Sequence, residues 1–91
     1  MIRPEDVYRN EDLFFVRYKI SPAELDIMAE STLGYDNAMI GEQMNLAIST
    51  VKFHFTSIYK KLGVTGGKVI RRVRLLVLLS EMSELQEWKR Q

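Results

Sequence analysis

Residues 49–64 read STVKFHFTSIYKKLGV. The segment carries Lys52, His54, Lys60 and Lys61 and no acid. Its apolar residues are ordered: Val51, Phe55, Ile58 and Leu62 stand at i, i+4, i+7 and i+11, which is one face of a helix. Lys52, Phe53, Thr56, Ser57 and Lys60 lie away from that face, and His54 sits at its border. One side anchors the helix to a domain. The other presents cations and hydrogen-bonding groups, which is the division a helix needs to lie in a DNA groove.

The residues upstream give this helix a partner. Asp36 is placed to cap a short helix that runs to about Met44, and about four residues around Asn45 separate it from the basic helix. That is helix-turn-helix spacing. Gly41 is small where two helices must cross closely, and Asn45 tolerates the left-handed conformation such a turn uses. Ile40, Met44, Leu46 and Val51 supply a small core. Further upstream, SPAEL predicts a helix start, with Ser21 as cap, Pro22 at the first helical position and Glu24 completing a capping box. Leu25, Ile27, Met28, Ala29 and Thr32 follow, and Gly34 is the expected stop. Downstream, Gly63 ends the basic helix, and a fourth helix begins near Lys68 and runs to at least Met82. Residues 1–19 form an N-terminal arm. A helix opened by Pro4-Glu5-Asp6 and an extended run through LFFVRYK both fit it. The predicted fold is all-α: four helices, with a helix-turn-helix domain over residues 20–91.

The chain has 91 residues, one small domain's worth, and a net charge of +1. The charge is unevenly distributed. Residues 43–80 hold seven bases and no acid, whereas residues 1–42 hold nine acids and four bases. An acid-free basic segment in a near-neutral chain points one surface toward a polyanion. There is no cysteine, which excludes disulfides and thiolate metal sites. The longest purely apolar run, Leu75 to Leu79, is too short to span a bilayer, and the N-terminus is not a secretory signal. A soluble cytoplasmic protein is expected. No P-loop, glycine-rich phosphate turn or cysteine nucleophile supports an enzyme. The one histidine, His54, has no second ligand or nucleophile near it in sequence, so no catalytic residue, metal or cofactor is expected.

Taken together, ISPAE…LGYDNAMIGEQMNLAISTVKFHFTSIYKKLGV resembles the LuxR/GerE-type helix-turn-helix, also known as the FixJ/NarL effector domain. The TVKxH…IYxKLGV string is the specific part. The resemblance covers about Ile20 to Val64 and continues loosely through the fourth helix. It implies a bacterial transcription regulator that binds double-stranded DNA, usually as a dimer. It implies that Lys52 enters the major groove, that Phe53 and Thr56 face base edges, and that Thr50 contacts a phosphate. Lys60 and Lys61 match positions of backbone contact, and Ser57 joins the candidate DNA-binding set. The chain departs from the family pattern at Ala23, Ala38, Met39, Ala47 and Gly67. About 20 residues precede Ser21, too few for a receiver or ligand-binding domain. If the chain is the whole protein the likeness is to the stand-alone GerE-like branch, and if it is a cut-out domain an input domain lies elsewhere.

The fourth helix carries too many apolar residues for one buried stripe. Val69, Ile70, Val73, Leu76 and Val77 gather on one side, expected to pack on the domain. Leu75, Leu78, Leu79 and Met82 gather opposite, expected to form a homodimer interface. A different reading stays open: a helix-turn-helix module that binds RNA polymerase or another regulator instead of DNA.

Overall fold

The computed structural model describes residues 18–80. Four helices follow in order: α1 Pro22–Ser31, α2 Asn37–Met44, α3 Ile48–Leu62 and α4 Lys68–Ser80. No strand occurs among the described residues. The N-terminal arm up to residue 17, and the continuation of the last helix to Met82, lie outside them.

Each boundary has a local cause. At α1 both halves of the capping box form: Ser21 Oγ accepts from the Glu24 amide at 3.1 Å, and Glu24 Oε1 accepts from the Ser21 amide at 2.8 Å. The helix proper ends at Ser31, and a turn carries the chain on to Gly34. Asp36 Oδ1 caps α2 by accepting from the Met39 amide at 2.9 Å. The turn after α2 is tight. Asn45 adopts φ 56°, ψ 48°, and both its amide and that of Leu46 donate to the Gly41 carbonyl. A Cβ on Gly41 would lie 2.6 Å from the Leu46 carbonyl oxygen, so only glycine allows this close return. α3 starts at Ile48 behind Ala47, which supplies no side-chain cap, and neither Ser49 nor Thr50 takes over with a later start. It ends at Gly63, whose φ of 68° suits glycine.

α1, α2 and α3 pack on one another around Leu25, Ile27, Met28, Ile40, Val51, Phe55 and Ile58, all buried. Leu62 is half-buried at the edge of this core, and Tyr59, which stands four residues after Phe55, joins it.

α4 packs with the opposite face from the one its sequence suggests. Leu75 and Leu79 are fully buried in the protomer's own core, so they cannot form a dimer interface; Leu78 is half-buried. Val69, Ile70, Val73 and Val77, expected to pack inward, are instead exposed, at 74%, 48%, 51% and 57%. The cause lies in two arginines on the leucine side of the helix. Arg72 stacks its guanidinium 3.8 Å from the Phe55 ring centroid and donates from Nε to the Tyr59 hydroxyl at 3.1 Å. Arg71 lies over the Tyr59 ring at 4.9 Å. These contacts hold that side of α4 against α3.

Candidate nucleic-acid interface

The outer surface of α3 is built from a row and a neighbour. Lys52, Thr56 and Lys60 recur every four residues and are all exposed. Phe53 stands beside them, 70% exposed, with His54 edge-on to it at 6.0 Å. A benzyl group left in water to that degree has no role in the described core. The Thr56 hydroxyl donates to the Lys52 carbonyl at 3.0 Å, a bond within the helix that a rotor can exchange for another acceptor. Thr50 is half-buried in the first turn. The first helical bond of α3 is from the Val51 amide to the Ala47 carbonyl. The amides of Ile48, Ser49 and Thr50 therefore have no partner within the helix.

Two residues of the expected DNA-binding set face inward instead. Ser57 donates to Glu24 Oε2 at 2.9 Å, and Lys61 Nζ meets Glu24 Oε1 at 2.7 Å and the Lys19 carbonyl at 3.0 Å. Glu24 itself is 3% exposed. The reason is electrostatic. A buried carboxylate needs compensation, and the inner flank of α3 supplies an ammonium and a hydroxyl. Burial alone would push the Glu24 carboxyl up. The Lys61 ammonium, the Ser21 amide and the Ser57 hydroxyl outweigh it and hold the group below the usual glutamate range. Ser57 and Lys61 thus tie α3 to α1, and both are engaged by Glu24. Ala23, next to Glu24 in the chain, carries no charge, and Lys61 neutralises the carboxylate.

A helix-turn-helix with one cationic outer face and one bolted inner face is the arrangement on which the family question turns. The family model described as bacterial regulatory proteins, luxR family, matches residues 19–73. The chain belongs to the luxR family of bacterial regulatory proteins. No curated protein and no solved structure gives a significant match. The matched span takes in α1, the α2–α3 pair and the first half of α4. Among the described residues no helix is long and apolar enough to cross a membrane, and no group of three His, Cys, Asp or Glu side chains could hold a metal ion.

Sequence reasoning overlooked Tyr59, Asn37 and Arg72 as one cluster. Arg72 Nη2 donates to Asn37 Oδ1 at 2.5 Å while its Nε reaches Tyr59. Tyr59 was detectable from its place four residues after Phe55. The convergence of the start of α2 with the middle of α4 carries no local signature.

Proposed function

We propose that this luxR-family chain is a sequence-specific transcription regulator that reads duplex DNA with α3 in the major groove and acts as a homodimer. The observation that carries the reading is the exposed set of Lys52, Phe53, Thr56 and Lys60 on one face of α3, backed by the Glu24–Lys61 pair that holds the opposite flank. Membership of a helix-turn-helix family of DNA-binding regulators supports it. Lys52 and Thr56 are suited to base-edge hydrogen bonds, Phe53 to a thymine methyl, and Lys60 with Thr50 to phosphates.

Pairing is assigned to the exposed face of α4: Val69, Ile70, Val73 and Val77. A second copy is the proposed occupant because four uncharged apolar side chains recur along one exposed face of α4, and a two-fold pair would bury the same stripe on both copies. Each side chain is already partly covered, so four from each copy contribute roughly 6–12 kcal/mol gross. Association costs on the order of 4–15 kcal/mol, so a dimer of modest affinity is expected.

The test is binding to duplex from the chain's own upstream region and to random duplex over a range of salt. The expected result is a steep salt dependence with the upstream duplex preferred. Weak binding without sequence preference would support a protein-interaction module instead.

A further inference from the structure

A concavity of about 220 Å³ lies between the start of α2, the outer flank of α3 and the first turns of α4. Its floor is Phe55 and Tyr59, and its walls include Lys52, Lys68, Arg71 and Arg72. No carboxylate among the described residues pairs with any of these four cations. Arg72 is held by neutral groups alone, the Tyr59 hydroxyl and Asn37 Oδ1. Arg71 Nε is shut off from solvent and has no hydrogen-bond partner. Four like charges around a cavity, none of them paired with a described carboxylate, make it a seat for an anion.

The shape selects a compact one. Both aromatic rings of the floor already carry a guanidinium, Arg72 on Phe55 and Arg71 on Tyr59, which leaves no ring face for a base to stack on. The volume is below that of ordinary small-molecule pockets, roughly 300–1,000 Å³. A tetrahedral oxyanion on guanidinium and ammonium donors fits both facts. The position selects its source. Lys52 and Thr56 belong to the cavity wall and to the reading face at once. A helix seated in the major groove is flanked by phosphate strands, so this side of α3 is where one strand passes.

We propose that the cavity seats a single phosphate of the DNA backbone, bound by Arg71, Lys68 and Arg72. The assignment rests on the DNA-reading function of α3, and the experiment separates the two. Wild type, Lys68→Gln and Arg71→Gln are compared as full chains on upstream and random duplex. Lys68 is exposed, so its variant keeps the fold even if loss of the Arg71 stack does not. Each variant is expected to lose about tenfold on both duplexes, with the log–log salt slope shallower by about one and sequence preference unchanged. Neutralising backbone phosphates one at a time as methylphosphonates should weaken wild type at one position where the variants are insensitive. In parallel, the Lys68 and Arg71 amide resonances of the free protein are followed as inorganic phosphate replaces chloride at constant ionic strength. A saturable shift in wild type that is absent from the variants supports the phosphate seat even if no sequence-preferring DNA binding is found. A shift with no methylphosphonate position coupled to the variants assigns the seat to a free phosphate ester and overturns the backbone source. Neither shift nor coupling overturns the proposal whole.

Discussion

Glu24 does three jobs with one carboxylate. It closes the capping box of α1, accepts from Ser57 and pairs with Lys61. Its replacement by Gln leaves a hydrogen-bonding side chain but removes the charge facing Lys61. Glu24→Gln is expected to lower stability at neutral pH by about 1–3 kcal/mol. Because the folded-state pKa is depressed, the wild-type carboxylate contributes fully above the unfolded value near 4.5, and the contribution is lost as pH falls through the lower folded value. Urea denaturation of both proteins between neutral pH and pH about 3 checks this, since the two curves should converge only at the acid end. A constant offset at all pH values would show that the charge is not what matters. The same residue shows what a single-sequence reading misses. Glu24 was readable as a capping residue from Ser21 three positions earlier. Its partners Ser57 and Lys61 lie far along the chain, and they were read as DNA contacts because charge and hydroxyl on a basic helix look the same whichever way the flank faces.

At the scale of the element, α4 is the instructive case. Its valine-isoleucine stripe and its leucine stripe are of similar width, and periodicity alone does not rank them. The choice is made in three dimensions, where Arg71 and Arg72 stack on Tyr59 and Phe55 and bring Leu75 and Leu79 inward with them. By contrast most ends of α1, α2 and α3 were legible because they are written locally, Ser21 and Asp36 as caps and Asn45 and Gly63 as left-handed terminators. The exceptions are the end of α1, at Ser31 and not at Gly34, and the start of α3 behind the uncapped Ala47. The inverted packing of α4 gives a paired prediction. Leu75→Ala should cost about 2–5 kcal/mol, as a fully buried leucine does. Val73→Glu should leave the protomer's stability within about 0.5 kcal/mol while converting dimers to monomers. Thermal unfolding and sedimentation of the two variants read these outcomes separately. A dimer that survives Val73→Glu but not Leu78→Glu would return the interface to the leucine edge.

For the whole molecule, the separation of charge and the fold agree on one direction of approach. The acid-free stretch 43–80 contains all of α3 and α4, and Lys52, Lys68, Arg71 and Arg72, which pair with no described carboxylate, border the outer flank of α3. Lys61, whose charge is spent on Glu24, is the internal exception. An acidic N-terminal half then keeps net charge near zero, which limits sequence-blind attraction to nucleic acid and leaves discrimination to the reading helix. The central claim is that α3 reads bases, and it is tested most directly by Lys52→Ala. The quantity to measure is the ratio of affinities for the preferred duplex and a random one, at fixed salt, for wild type, Lys52→Ala and Lys60→Ala. The expected result is a loss of about 1–3 kcal/mol of discrimination in Lys52→Ala, with Lys60→Ala weakening both duplexes alike and keeping the ratio. An unchanged ratio in Lys52→Ala, with both variants losing equally on both duplexes, would contradict base reading by this face of α3.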